Sequence, residues 1–150
     1  MSPGPRFLRD LVLALSAVLL VVLAATRFLA IPWVVSGPSM EPTLRDGDRV
    51  LVELWSYRHR APRPGEIALF EGPGGVPLVK RIAGPRVEPG EIPLRSAFRP
   101  AEADEAWIPV AGDNPARSED SRAFGPVPAH LFRGRVVWRY WPLDRVGSIR

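Results

Sequence analysis

The sequence predicts a mainly β protein, an antiparallel sheet domain carried on a single N-terminal transmembrane helix. Three observations predict it. The stretch from Leu11 to Ala25 reads LVLALSAVLLVVLAA without a charge, the composition of a segment that sits in lipid. After it, apolar residues recur at every second position in short runs, the period of half-buried strands. Those runs are separated by turn formers, 18 prolines and 13 glycines in 150 residues, which disfavour long helices in the remainder. The expected division is residues 1–32 as cytoplasmic tail and anchor and residues 33–150 as an extracytoplasmic β domain.

The uncharged core of the first segment is shorter than the ~20 residues a span needs. Arg27 is placed to snorkel to the interface, so that Phe28-Leu29-Ala30-Ile31 completes the span and Pro32 ends the helix. Arg6, Arg9 and the amino terminus precede it, which puts the tail in the cytoplasm and residues from about Trp33 outside. A cleavable signal peptide ending near Ala25 is the competing reading; the apolar character beyond that point favours an anchor.

Beyond the anchor, Asp48 to Trp55 alternates, with Val50, Val52 and Leu54 on one face. A strand from Glu66 to Glu71 follows, introduced by Arg63-Pro64-Gly65 and closed by Gly72-Pro73-Gly74-Gly75. The next apolar run reaches Ile82 and sets Leu78, Lys80 and Ile82 on a shared face. Between Gly84 and Ala106 the chain is rich in Pro, Glu and Arg, a surface excursion with room for one irregular hairpin. Strand character resumes at Trp107-Ile108-Pro109-Val110 and again from Gly134 to Trp141.

The formal charge of +4 is spread singly among acids, with no basic run, so it points to no nucleic-acid partner. The absence of cysteine excludes disulfides, thiolate metal sites and a cysteine nucleophile. Among 20 basic residues Lys80 is the sole lysine. An amine can lose its proton when desolvated, whereas a guanidinium stays charged, so a lysine among arginines suggests a base. Its apolar run and the neighbouring cation Arg81 are both expected to lower its pKa. The alternative is a chance solvated lysine.

A base needs a group to deprotonate. In Val35-Ser36-Gly37-Pro38-Ser39-Met40-Glu41-Pro42-Thr43-Leu44, Ser39 follows a Gly-Pro pair that can present its hydroxyl at a turn, and Ser36 is its local rival. His59 lies in a polar, cationic loop and His130 near the start of the last strand, and neither setting suggests a triad member. Two isolated histidines offer no metal site, and no cofactor is expected. In the polar run from Gly112 to Pro128, Ser118 could orient an amine, and Asp120 with Arg122 could form an ion pair bracing the loop; a solvated polar turn is the plainer reading.

Ser39-Met40-Glu41-Pro42-Thr43-Leu44, Gly47-Asp48-Arg49-Val50, Arg63-Pro64-Gly65-Glu66-Ile67, Val79-Lys80-Arg81-Ile82 and Gly112-Asp113-Asn114 through Asp120-Ser121-Arg122 resemble, in order, the sequence boxes of bacterial type I signal peptidases, the S26 serine proteases with a Ser/Lys dyad. The resemblance covers most of the chain. It implies that Ser39 is the nucleophile and Lys80 the general base, with Ser118 hydrogen-bonded to the lysine and Asp120 and Arg122 as a structural ion pair. Trp33, Val35, Met40, Leu44 and Val79 would line shallow apolar pockets that favour Ala-X-Ala before the cleavage site. Two departures stand out: Gly37 occupies a position where some members carry an oxyanion-binding serine, and Gly84-Pro85-Arg86-Val87 replaces a Gly-Leu-Pro-Gly-Asp turn.

The implied protein is a membrane-bound endopeptidase of the bacterial inner membrane that acts on signal-peptide-bearing preproteins beside a translocation channel. A processing protease with one dedicated substrate and a catalytically silent membrane-anchored binding module remain alternatives. A cytosolic self-cleaving repressor would carry a DNA-binding segment where this chain has its apolar helix.

Overall fold

The computed structural model describes residues 5–87, 96–98 and 105–149. Helix α1 runs from Pro5 to Leu29 and exposes its apolar side chains from Leu11 to Leu23. Arg6, Arg9 and Asp10 occupy its first turns, and among the described residues no helix is long and apolar enough to cross a membrane. The side chain of Arg27 and most of the expected excursion after Gly84 lie outside the described residues.

The helix stops at Leu29, and Ala30–Val34 forms strand β1. Pro32, expected to end the helix, therefore sits inside a strand. That is possible because, among the described residues, β1 is the edge of its sheet and pairs only with β2 (Arg49–Glu53), so the missing N–H breaks no ladder on the outer side. A short helix α2 (Ser56–His59) leads to β3 (Ile67–Glu71) and β4 (Pro77–Ile82). Pro109 divides the next apolar run into β5 (Trp107–Ile108) and β6 (Val110–Ala111), which join different sheets. After α3 (Ser121–Phe124) come β7 (Val127–Pro128), the long β8 (Phe132–Trp141) and β9 (Gly147–Ser148).

All pairings are antiparallel. The main sheet has the order β1-β2-β8-β3-β4-β6 with β9 added to β8, and β5 pairs with β7 in a small second sheet. Strand β3 is buried on both faces, which explains its unbroken apolar run Ile67-Ala68-Leu69-Phe70. Ile67 and Leu69 join Val35, Met40, Leu44, Val50, Val52 and Val136 in one core. Ala68 and Phe70 join Ile82, Ile108, Val110 and Val127 in the other.

Alternation in β4 then has a consequence for the site. Val79 packs on the first core and Leu78 on the second, and Lys80 lies opposite Ala68 with only 3 % of its surface exposed. A small residue opposite leaves room for the lysine stem.

Strands β2 and β8 come close together at Gly134 of β8, where a Cβ would collide with the Glu53 carbonyl oxygen and stand 2.8 Å from Val52 Cγ1. Gly134→Ala is expected to lower stability by about 1–3 kcal/mol through overpacking, read as a shifted denaturant midpoint for the detergent-solubilised chain. An unchanged midpoint would show that β2 and β8 can separate without cost.

Candidate active site

The turn after β1 is shaped by Gly37. Its φ of +83° is open to glycine without strain, and its N–H donates to Asp46 Oδ1 at 2.7 Å. Val35 N–H to Asp48 O at 2.8 Å and Gly47 N–H to Val35 O at 2.9 Å close the base of the loop. Inside it Ser39 is half-buried and Met40 is buried.

Ser39 and Lys80 line one cavity of about 80 Å³ together with Trp33, Val34, Val35, Ser36, Met40, Pro77, Leu78 and Val79. Two strand edges frame this cavity. Among the described residues β1 has no partner on its outer side, and β6 pairs with β4 only at Arg81 and Ile82, leaving the Pro77–Lys80 part of that edge unpaired within the main sheet. Trp33, Val35, Met40 and Val79 thus stand at the cavity. Leu44 does not line it, being fully buried in the first core.

Lys80 Nζ donates to Ser118 Oγ at 3.1 Å, and Ser118 Oγ donates in turn to Asp120 Oδ2 at 3.1 Å. A hydroxyl has one proton. With that proton donated to the carboxylate in a hydrogen bond, Ser118 can only accept from the amine, which fixes one N–H of Lys80 and leaves the rest of the nitrogen facing elsewhere. Burial pushes the Lys80 pKa below its ordinary value, while the negative charges of Asp120 and Glu119 act in the opposite direction. Arg81, expected to help lower it, is turned to other partners. Its guanidinium is held by Asp113 in a two-armed pair at 2.8 and 2.7 Å and also donates to Gly65 O.

Asp120 is 1 % exposed, yet it stays a carboxylate. Burial pushes its pKa up, but this is outweighed by hydrogen bonds from the Arg122 guanidinium, the Gly112 and Arg122 amides and Ser118, so the net shift is far below the usual carboxylate range. The Arg122 arms reach it at 2.8 and 2.7 Å. The Arg122 side chain is 60 % exposed, so its charge is partly screened and the backbone amides matter for holding Asp120 ionised.

Three residues outside the sequence-based set shape the same region. Gly112 has no space for a Cβ, which would run into the Ser118 side chain and the Ser39 carbonyl oxygen. Asn114 N–H donates to that carbonyl at 3.0 Å. Asp113 is the partner of Arg81, and its carboxyl is further held ionised by the Thr43 hydroxyl. The signal for all three was the run Gly112-Asp113-Asn114, whose side-chain chemistry alone does not say that it packs on the serine turn.

The histidines lie elsewhere. His59 packs against Trp55 in a tilted arrangement with ring centroids 4.2 Å apart, and His130 Nδ1 pairs with Glu105 at 2.5 Å. Neither lines the Ser39 cavity. Among the described residues no cluster of three or more acids or histidines is placed to hold a metal ion.

Comparison with known proteins bears on this arrangement. The family described as "Signal peptidase, peptidase S26" matches residues 8–91 and 99–141. A mitochondrial ATP-independent inner membrane protease subunit 1b from Arabidopsis thaliana is 38 % identical over 83 % of this chain and 78 % of its own length. The probable signal peptidase I-2 of a Synechocystis strain is 32 % identical over 99 % of this chain and 80 % of its own. Signal peptidase I of Leptolyngbya laminosa is 31 % identical over 91 % of this chain and 80 % of its own. The chain belongs to the signal peptidase family, peptidase S26.

Proposed function

We propose that this protein is a membrane-bound serine endopeptidase that removes N-terminal signal peptides from exported preproteins, with Ser39 as nucleophile and Lys80 as general base. The observation that carries the reading is a buried lysine, hydrogen-bonded to a hydroxyl, lining the same small cavity as a serine held in a turn.

In this reading an extended substrate enters between the free edge of β1 and the unpaired part of β4, adding main-chain hydrogen bonds while alternate side chains enter pockets. Trp33, Val35, Met40 and Val79 form the wall, with Leu44 supporting it from the core. A cavity of about 80 Å³ suits a side chain of alanine size before the scissile bond. Neutral Lys80 takes the Ser39 proton as Oγ attacks the scissile carbonyl carbon. The oxyanion is held by the Ser39 amide, since Gly37 offers no hydroxyl. Lys80 returns the proton to the departing amine, which leaves as the N-terminus of the mature protein. It then takes a proton from water, which attacks the acyl-enzyme, and gives that proton to Ser39 Oγ as the ester bond breaks and the signal peptide leaves with a new carboxyl terminus. Ser118 positions Lys80, and Asp120 with Arg122 fixes Ser118.

The placement is part of the same proposal, and α1 supports it. Its exposed apolar stretch Leu11–Leu23 supports seating in a bilayer, with Arg6 and Arg9 on the cytoplasmic side. The β domain then lies outside, at the membrane surface of a bacterial cytoplasmic membrane, close to the channel that delivers preproteins. The range of substrates, many preproteins or one, is settled by assaying several.

Lys80→Arg is expected to reduce cleavage of a preprotein ending Ala-X-Ala by at least the ~10²–10⁴-fold that a positioned base contributes, with the cut located by mass spectrometry. Cleavage at the wild-type rate would remove the base assignment, and a wild type inert on several preproteins would turn the reading toward a silent binding module. Because burial lowers the Lys80 pKa below 10.5, activity should rise with pH through a midpoint below that value and decline on the acid side as the amine protonates. A flat profile down to about pH 5, below any such midpoint for a lysine, contradicts neutral-amine catalysis. His59→Ala and His130→Ala should each keep near wild-type turnover; a large loss in either would reopen a histidine mechanism.

A further inference from the structure

Beneath the serine turn lies a second charged cluster to which the proposed chemistry gives no part. Asp48 has a side chain only 3 % exposed, and two arginines from the far end of the chain reach it. Arg139, in β8, donates from Nη1 to Asp48 Oδ2 at 3.3 Å, and Arg145 donates from Nη1 to Oδ1 at 3.0 Å. Both are mostly buried, at 16 % and 17 % exposure.

Neither guanidinium stops at the carboxylate. Arg139 Nη1 also donates to the Thr43 carbonyl at 2.8 Å, and Arg145 Nη2 donates to the Thr43 and Pro42 carbonyls at 3.3 and 3.4 Å. Arg139 Nε donates to the Arg145 carbonyl, tying the two arginines to each other. A pair serving only to neutralise Asp48 would need one cation. The second cation and the shared carbonyls instead grip the backbone just after Ser39, in the loop whose base is closed through Asp48 O. Arg139 is anchored in the sheet opposite Val50, and Arg145 ends the turn between β8 and β9, whose return to pair with Trp138 and Arg139 holds that turn in place.

We infer that Arg139 and Arg145 are positioning residues for the serine loop, a clamp through which the C-terminal segment holds Ser39 at the correct distance from Lys80. The inference rests on the peptidase reading for its effect on rate, but not for its effect on the loop. Turnover should be sensitive to such a clamp, because reacting atoms misplaced by about 1 Å can cost on the order of 10²-fold in rate. The substrate cavity does not include either arginine, so binding should be spared.

The test uses the full chain in detergent as wild type, Arg145→Ala, Arg145→Lys and Arg139→Gln. Two quantities are read: amide hydrogen exchange followed by mass spectrometry, and cleavage of a signal-peptide-bearing preprotein. Exchange across residues 39–48 should quicken by roughly tenfold or more while β3 and β4 keep their protection. kcat should fall by roughly tenfold or more, with KM changing less than about twofold. Added guanidinium should restore part of the rate of Arg145→Ala. Should Arg145→Ala loosen the whole sheet, Arg145→Lys decides: it keeps a charge on Asp48 but replaces the planar fork, one nitrogen on the carboxylate and the other on the carbonyls, with a single nitrogen, and local loosening there supports the clamp. Unchanged exchange in residues 39–48 of Arg145→Lys overturns it, as does wild-type kcat in all three variants. An inert wild type whose variants still show the loosened loop would remove the peptidase reading and leave the clamp in place.

Discussion

An ammonium group sealed into a protein interior loses most of its hydration, and the penalty falls on the charged form alone. Around Lys80 that penalty is opposed only in part. Its hydrogen-bond partner is a hydroxyl, and the carboxylate behind that hydroxyl is already occupied by Arg122 and by backbone amides. Were Asp120 to face Lys80 directly, an ion pair would form and the amine would keep its proton. Ser118 stands between them, passing orientation from Asp120 to Lys80 while separating the two charges. The same geometry demands that Asp120 remain ionised, because a protonated Asp120 could offer its own proton to Ser118 and release the hydroxyl from its fixed role.

The sheet supplies the dryness this arrangement needs. β4 lies between two cores, and the alternation that puts Val79 on one and Leu78 and Ile82 on the other leaves Lys80 opposite Ala68, shielded by packing on both sides of its strand. The loops supply the convergence. Gly112 lets Ser118 and the Ser39 carbonyl pack into the space that a side chain would have occupied, and Asn114 ties the two loops together. The serine turn is thus held from the Gly112 side and, through Arg139 and Arg145, from the C-terminal side.

Much of this framework was legible because it depends on period. Val50 and Val52 alternate and are both buried, and Leu78, Lys80 and Ile82 follow the same rule. β1 was hidden for a physical reason: Ala30 and Ile31 continue an apolar helix without a compositional break, and only pairing with β2 turns them into a strand. Leu44 is a pocket residue only by the resemblance, and a match of position does not say whether an apolar side chain faces substrate or, as here, the core. Arg81 was misread for a related reason. Adjacency suggested that its charge acts on Lys80, but neighbours along a strand point to opposite faces, and the partner that occupies Arg81, Asp113, lies 32 positions further on.

The distribution of cations now has a structural sense. Arg60 with Glu66, Arg81 with Asp113, Arg122 with Asp120, and Arg139 and Arg145 with Asp48 all meet carboxylates, several of them in the two-armed geometry that a planar guanidinium fits and an ammonium does not. In each place the charge is structural, and a group that cannot deprotonate keeps the cation of each pair in place as pH rises. Lys80 occupies the opposite situation, buried beside a hydroxyl in a cavity shared with a serine. Arginine there would be a permanent buried charge lacking a direct carboxylate partner, costly to the fold and useless as a base. In the proposed mechanism the same chain therefore separates two requirements by residue type: arginine where the charge must stay, lysine where it must be able to leave.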